Sequence, residues 1–258
     1  MRQGAEHGAW GRVWEAARRV RAPIARGLDL IFPPEPLDGG PRPQTTGLSV
    51  EGWSRARFLE APVCDGCGAP FEYDQGPGVR CAPCQTRPPV VDRVRAACVY
   101  DDPVRALILG FKHADRVELA PMFARWIGRA ARELIEDAEA IAPVPLHRSR
   151  LIVRRYNQAA EIARPLARRF DRQYLADALV RVRDTGHQGG RSGTGRRRNV
   201  EGAFAVPADR LRFVRGRRVL LIDDVTTTGA TLDACARALK KAGARAVDAA
   251  VVARVQRD

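Results

Sequence analysis

The sequence VLLIDDVTTTGATL, residues 219–232, indicates the class of fold. It places Asp223 and Asp224 at the end of an apolar run, and it follows them with four threonines around Gly229. A continuous apolar run is typical of a strand buried on both faces of a parallel sheet. Because such sheets bind ligands beyond the carboxyl ends of their strands, the stretch predicts a strand that carries two carboxylates and a hydroxyl-rich turn to a ligand site.

The chemistry of this stretch favours a phosphorylated sugar. Paired carboxylates repel each other unless a cation or a neutral group with hydroxyls lies against them, and the diol of a ribose meets that need. The turn from Thr226 to Thr231 leads through Gly229 into a helix, whose positive end and backbone N–H groups favour a phosphate. Each part alone has a plainer interpretation, since an Asp pair is often a cap and Thr-rich turns are common.

Strands and helices alternate along the chain before and after this stretch. Strand-like runs occur at 94–100, 140–146, 217–223 and 244–255, and helical periodicity occurs at 104–111, 118–136, 156–170 and 231–242. This order predicts right-handed crossovers and an α/β fold in which helices flank a mostly parallel sheet.

Composition excludes several classes of protein. The chain has 258 residues, 45% of them hydrophobic, and it contains neither an apolar run of membrane-spanning length nor a secretory signal. We therefore expect a cytoplasmic protein without membrane insertion. The net charge is +14, and residues 145–200 carry 14 arginines against four acidic residues, or +10. Such a segment suits anionic ligands, although a solvated basic face is the alternative.

Four cysteines form the pattern C-x2-C-x13-C-x2-C at Cys64, Cys67, Cys81 and Cys84. In a cytosolic chain this spacing favours a metal site over disulfides. Four sulfur ligands leave no open position for water, so the pattern predicts structural zinc rather than catalytic zinc. Cys98 and Cys235 are interpreted as small buried apolar residues.

The chain is predicted to have three parts. Residues 1–59 contain a helix, with Trp10 and Trp14 on its apolar face, and a linker rich in Pro and Gly. Residues 60–89 form the four-cysteine zinc ribbon, and residues 90–258 form the α/β domain.

The segment LLIDDVTTTGATL resembles the signature by which type I phosphoribosyltransferases bind phosphoribosyl pyrophosphate (PRPP). Three further segments, PVPLHRSRLIVRRYNQAAEIA (143–163), GHQ (186–188) and RRNVEGAF (197–204), together with the four cysteines, are similar to the ComF family over residues 28–256. This resemblance implies a type I phosphoribosyltransferase fold with a small N-terminal zinc ribbon. Relatives commonly carry Arg-Gly-Phe-Asn-Gln where this chain has residues 154–158.

The resemblance also implies roles for residues of this chain. Asp223 and Asp224 are the catalytic acids, and Mg²⁺ binds together with PRPP. The implied PRPP-binding residues are Thr226, Thr227, Thr228, Gly229, Ala230 and Thr231 of the phosphate turn, Leu146, His147, Arg148 and Arg150 of the pyrophosphate loop, and Lys112. Lys112 is one of only three lysines, and a surface lysine is the alternative. A mobile hood is implied at 186–200, with Gln188, Arg196, Arg197, Arg198 and Asn199.

Two functions of different classes follow. The first is transfer of ribose 5-phosphate from PRPP to an unidentified acceptor, with release of pyrophosphate; many purine-salvage relatives place an Asp where Thr227 stands, which disfavours that route. The second is a nucleic-acid-associated role in DNA uptake, with single-stranded DNA or competence proteins as partners. A PRPP sensor without turnover is a third, regulatory alternative.

Many relatives carry a second four-cysteine module upstream of the first. Its ligand positions would align with Pro36, Gly39, Ser49 and Gly52, none of which binds zinc through its side chain. The sequence therefore predicts a degenerate half-module and one zinc ion per chain.

Overall fold

A computed structural model describes residues 47–113, 116–183 and 200–256. Its main sheet has five strands in the order β1-β7-β6-β2-β3, and every pairing is parallel. The strands are β1 (Val94–Val99), β2 (Ala140–Pro143), β3 (Gln173–Tyr174), β6 (Arg218–Thr226) and β7 (Ala246–Arg254); β4 (Val180–Arg181) and β5 (Phe204–Ala205) form a separate antiparallel pair. The predicted parallel α/β architecture is confirmed.

Helices connect and flank these strands. They are α1 (Val50–Arg55), α2 (Ala82–Thr86), α3 (Val104–His113), α4 (Ala120–Ala130), α5 (Arg132–Asp137), α6 (Arg148–Arg154), α7 (Gln158–Arg169), α8 (Leu211–Val214) and α9 (Ala230–Lys241), with 3-10 turns at Val117–Leu119 and Ala208–Arg210. The single helix predicted over 118–136 is instead divided, because Ala131 leaves the helical conformation at φ −121° and ψ 29°.

The sheet separates two apolar cores. On one face, α3, α4 and α7 pack Phe111, Phe123 and Leu166 against Ile222 of β6. On the other face, α9 packs Leu239 and its neighbours against β6 and β7. Because both faces of β6 are covered, its residues Val219–Ile222 are fully buried. This explains the continuous apolar run that precedes the two aspartates.

The edge of β1 is covered by the four-cysteine segment at 60–89, here called the cysteine module, and by the residues just before it. Leu59 donates its N–H to Ala97 O, and Val99 donates its N–H to Arg57 O, each at 2.9 Å. Farther along the edge, Val94 donates its N–H to Gly66 O at 2.9 Å. These bonds satisfy backbone groups of β1 that an uncovered edge strand would leave to solvent or to another chain.

Gly68 is the point of closest approach between the module and β1. It has φ +69°, and a Cβ placed there would lie 2.5 Å from Val94 O. We expect Gly68→Ala to lower the free energy of unfolding by about 2 kcal/mol more than Gly76→Ala. Gly76 has φ +87° with open space around it, so both variants share the left-handed backbone penalty and only Gly68→Ala adds the clash. Urea unfolding measures this difference, and equal losses would contradict the packing.

Several predictions lie outside the described residues. They include the helix with Trp10 and Trp14, the linker with Pro36 and Gly39, and the hood residues Gln188, Arg196, Arg197, Arg198 and Asn199. Ser49 and Gly52 are described: Ser49 Oγ accepts the N–H of Gly52 at 3.0 Å and caps α1. Among the described residues, none of the helices has the length and hydrophobicity that a membrane span requires.

Candidate functional site

The two aspartates lie near the carboxyl end of β6, which pairs with β2 on one side and with β7 on the other. Successive side chains of a strand point to opposite faces, so Asp223 shares a face with Leu221 and Asp224 shares the other with Ile222. The acids therefore flank the end of the strand rather than lying side by side on one face. Their charges still interact, because Asp224 contributes to the raised pKa of Asp223.

Lys112 supplies a cation to this pair. Its Nζ lies 2.9 Å from Oδ1 of Asp224, and the two side chains are 19% and 13% exposed. Lys112 stands in the last turn of α3, next to the fully buried Phe111. Lys112 is therefore a largely shielded partner of Asp224 rather than an exposed surface lysine.

Asp223 has a perturbed acidity. Burial, aided by the charge of Asp224, raises the pKa of Asp223 to about 7. Three influences oppose this shift without cancelling it: the N–H of Asp224, which donates to Asp223 Oδ1 at 2.9 Å, and the positive charges of Lys112 and Arg181. Asp223 therefore changes its ionisation near neutral pH, a property that is frequent among functional carboxylates.

The turn after β6 has the predicted form. The strand ends at Thr226, Gly229 adopts φ +75°, and α9 begins at Ala230. Thr228 Oγ1 accepts the N–H of Ala230 at 3.3 Å. The first N–H groups of a helix have no acceptor within it, so the turn can offer N–H groups and hydroxyls to an anion. One continuous segment thus leads from the last residue of the strand into the first turn of α9, and it consists of Thr226, Thr227, Thr228, Gly229, Ala230 and Thr231.

The predicted pyrophosphate loop leaves the same edge of the sheet. Val144, directly after β2, donates its N–H to Ile222 O at 2.9 Å. This bond brings the next residues, including Leu146 and His147, to the carboxyl end of β6. Two predicted anion-binding segments, one after β2 and one after β6, therefore meet at neighbouring strands, as expected for a ligand site in a parallel sheet.

The loop passes directly into α6. His147 is its N-cap, and its Nδ1 accepts the N–H of Ser149 at 3.3 Å. Arg148 and Arg150, which the sequence placed in the loop, belong to the helix instead, and Arg148 is exposed. The His147 side chain satisfies one N–H group of the first turn, and the helix begins directly after it.

Tyr156 and Asn157 brace these segments against one another. Tyr156 donates its hydroxyl proton to Phe111 O, beside Lys112. Asn157 Nδ2 donates to Val144 O at 3.0 Å, and its Oδ1 accepts the N–H of Ala159 at the start of α7. Arg155, which stands where relatives commonly carry Gly, adopts the left-handed φ of 62°. Tyr156 and Asn157 thereby connect α3, which carries Lys112, with the start of the pyrophosphate loop and with α7.

The four cysteines converge as a metal-type cluster. The Sγ atoms of Cys64, Cys67, Cys81 and Cys84 all lie within 4.8 Å of one another, and those of Cys67 and Cys81 are 3.7 Å apart. A tetrahedral zinc site with Zn–S bonds of about 2.3 Å requires sulfurs roughly 3.8 Å apart, so the cluster fits the predicted ligand set. It is the one such group within the described ranges.

Backbone donors support the cluster. Burial by itself raises the pKa of Cys64, but the N–H groups of Cys67 and Cys81 donate to its Sγ at 3.5 and 3.2 Å and lower that pKa to about 7. Arg254, at the end of β7, donates to Cys67 O at 2.8 Å. The cluster is thereby linked to the sheet strand that neighbours β6.

A cavity of about 1270 Å³ separates the cysteine module from α4. Its lining includes the aromatic cluster of Trp53, Phe58 and Trp126. Of the four arginines in the lining, Arg93, Arg95 and Arg129 are paired with acids, as in the 2.7 Å contact between Arg95 Nε and Glu133 Oε1. Most of the positive charge in the wall is therefore neutralised by neighbouring carboxylates.

Comparison with known proteins agrees with this geometry. The family described as phosphoribosyl transferase domain matches residues 113–258. Competence protein F of Haemophilus influenzae is 34% identical over 187 residues, which cover 70% of this chain and 80% of that protein. This chain belongs to the ComF family. The resemblance inferred from the signature and the cysteines is confirmed.

Other known proteins are less similar to this ComF-family protein or match a smaller part of it. DNA utilization protein YhgH of Escherichia coli is 32% identical over 199 residues, covering 75% of this chain and 85% of the relative. Adenine phosphoribosyltransferase of Mycobacterium marinum is 54% identical, but only over 50 residues, or 19% of this chain and 27% of that enzyme. The structure of a B. subtilis glutamine PRPP amidotransferase with ADP and GMP matches at TM-score 0.34 and 21% identity over 54% of this chain and 26% of its own, too weakly to transfer a property.

Sequence reasoning missed three residues that organise the site of this ComF-family protein. Tyr156, Asn157 and Arg181 came to attention only as parts of longer segments, although they contact or influence the acid pair and its loops. An asparagine directly before a helix is a recognisable cap signal, and Asn157 carries it. The carbonyl partner of Tyr156 lies 45 residues away, and no local pattern indicates it.

Proposed function

We propose that the protein binds PRPP at the carboxyl ends of β2 and β6 and transfers ribose 5-phosphate from it to an acceptor. The observation that carries the proposal is the sequence of groups along β6, in which two acids with a lysine partner are followed at once by the Gly229 turn and the N-terminus of α9. The acids accept hydrogen bonds from the ribose hydroxyls, and the turn donates N–H groups to the 5-phosphate.

The chain contributes positioning and charge. Transfer breaks the bond between ribose C1 and pyrophosphate through an oxocarbenium-like state, so a fixed sugar and a stabilised leaving group supply most of the acceleration. The loop at Leu146 and His147, with Arg148 and Arg150 on α6, binds the departing pyrophosphate. Mg²⁺, which binds mainly through substrate phosphates, would neutralise charge on that group.

The pKa of Asp223 predicts a pH dependence. Its ionised form accepts the ribose hydroxyl, so we expect PRPP affinity to fall as the pH decreases below about 7, by up to roughly tenfold per pH unit. The groups around Asp223 are Asp224, Lys112, Arg181 and Cys235. Calorimetry between pH 5.5 and 8.5, with Asp223→Asn as the reference, separates this effect from titration of the ligand phosphates. Parallel profiles for the two proteins would contradict it.

The same raised pKa affects stability with a defined sign. The unfolded chain loses this proton near its ordinary pKa of about 4, whereas the folded protein retains it to about 7. The folded state therefore binds more protons in between, and the free energy of unfolding attributable to Asp223 decreases as the pH rises through this window. Asp223→Asn removes that decrease.

A screen of nucleobases and amines for PRPP-dependent release of pyrophosphate tests the transfer reaction. Release with one acceptor class supports the enzyme. Tight PRPP binding without release with any acceptor would instead support a PRPP sensor, and absent PRPP binding would overturn both.

A second function, association with DNA, is favoured by the relatives named competence protein F and DNA utilization protein. Arginines in this chain would bind the phosphates of single-stranded DNA, so log affinity falls with log salt by roughly 0.7 per contact. Arg168 and Arg169 are exposed at the end of α7. We expect Arg168→Gln/Arg169→Gln to reduce that slope by about 1.4 if both contact DNA. Binding that is absent, or insensitive to salt, removes this function.

A further inference from the structure

The acid pair on β6 already has a cation. Two carboxylates at a strand end attract divalent ions, because carboxylate oxygens are preferred ligands of Mg²⁺ and Mn²⁺. Here the ammonium group of Lys112 lies 2.9 Å from Asp224 Oδ1. The contact is largely shielded, with side-chain exposures of 19% and 13%, so solvent and salt screen it less than a surface pair.

Lys112 is held in this position by its neighbours. Phe111 is fully buried, and its ring packs edge-on against Phe123 at a centroid distance of 5.3 Å. The carbonyl of Phe111 accepts the hydroxyl of Tyr156. The backbone at the base of the lysine is therefore fixed between α4 and the start of α7. This position of α3 places the ammonium group next to Asp224.

We propose that Lys112 is an internal counter-cation that keeps divalent metal ions off Asp223 and Asp224 in the ligand-free protein and leaves both carboxylates to the sugar hydroxyls. A bound divalent ion would occupy carboxylate oxygens that the ribose needs, whereas an ammonium donates hydrogen bonds and leaves other lone pairs accessible. Lys112 thus acts as a positioning residue for the acids.

This inference rests on the proposed function only for its second half. Exclusion of metal ions from the free protein depends on the geometry of Lys112 and the acids alone. Reservation of both carboxylates for sugar hydroxyls requires that PRPP is the ligand. The two halves can therefore fail separately.

Binding of Mn²⁺ to the full-length, zinc-loaded protein, followed by electron paramagnetic resonance without PRPP, tests the first half. We expect the unmodified protein not to bind Mn²⁺ at low millimolar concentrations. Lys112→Met should bind Mn²⁺ with a Kd at least roughly tenfold below that concentration range, since one positive charge beside the acids is lost. Lys112→Arg should restore exclusion. In Lys112→Met/Asp224→Asn the new site should disappear, which locates it at the acid pair.

Lys240→Met is the matched control. Lys240 Nζ lies 2.8 Å from Asp92 Oδ1, so this variant also frees an aspartate from a lysine, but away from the acid pair. We expect no Mn²⁺ binding. Thermal unfolding of each variant verifies that it is folded. Equal Mn²⁺ affinities for the unmodified protein and Lys112→Met, or a gain that survives Asp224→Asn, would overturn the proposal.

Calorimetry with PRPP completes the test. If PRPP is the ligand, Lys112→Met binds it more weakly and the loss is partly recovered in Lys112→Arg. If PRPP binds neither protein while Lys112→Met still gains a Mn²⁺ site, the proposed function fails and the counter-cation stands. If PRPP binds but Mn²⁺ affinity is unchanged, the counter-cation fails and the proposed function stands.

Discussion

Asp223→Asn/Asp224→Asn should lose PRPP affinity by about 100-fold or more. Each carboxylate is expected to accept a hydroxyl of the ribose, and a hydrogen bond to a charged group contributes about 1.5–3 kcal/mol. Loss of two such bonds corresponds to at least two factors of ten in Kd. Isothermal titration calorimetry with PRPP and Mg²⁺ measures this effect directly.

The matched control is Asp209→Asn, because Asp209 is 68% exposed and lies in the 3-10 turn Ala208–Arg210, outside β6 and its phosphate turn. It should bind PRPP like the unmodified protein. The double variant removes a carboxylate with a raised pKa as well as the partner of Lys112, so its thermal unfolding must be compared at the same pH. A folded double variant that retains full PRPP affinity is incompatible with a sugar bound by these acids.

Cys64→Ser should abolish zinc binding and destabilise the fold. The unmodified protein should contain one zinc ion per chain, since four sulfurs cluster within 4.8 Å and no other such group occurs among the residues that the structure describes. Cys64 is fully buried and its Sγ accepts two backbone N–H groups. We expect a loss of about 3 kcal/mol, or roughly 6–12 °C in melting temperature. Metal analysis and calorimetric unfolding measure the two effects.

Cys235→Ala is the control for this variant. Cys235 is buried in the core beneath β6, outside the cluster. Its replacement should cost some stability but leave the zinc content unchanged. Two zinc ions per chain would contradict the loss of the upstream module, and zinc retained in Cys64→Ser would contradict the four-sulfur site.

The fold was predictable where burial produces a recognisable pattern of apolar residues in the sequence. The apolar run before Asp223 identified β6, because a strand covered on both faces consists mostly of apolar residues. The short strands β3 and β4 were not predicted, since two residues give no period. The division between α4 and α5 at Ala131 also has no local signal, as alanine favours a continuous helix and the backbone there departs from it.

The candidate site was predictable in its local parts and not in its long-range contacts. The acids and the turn at Gly229 are adjacent in sequence, so their chemistry could be inferred together. The pairing of Lys112 with Asp224 spans more than a hundred residues and depends on how α3 packs beside β6. Strand alternation implies opposite faces for Asp223 and Asp224, but only the packed helices identify the neighbours of each acid.

Amide hydrogen exchange with and without PRPP and Mg²⁺ tests whether a phosphorylated sugar binds at the end of β6. We expect slower exchange in peptides that cover 226–231 and 146–148 when PRPP is present, because their N–H groups then donate to phosphate oxygens. Exchange in the cysteine module at 64–84 should not change. Saturating PRPP that leaves exchange at 226–231 unaltered would contradict a phosphorylated sugar at the end of β6.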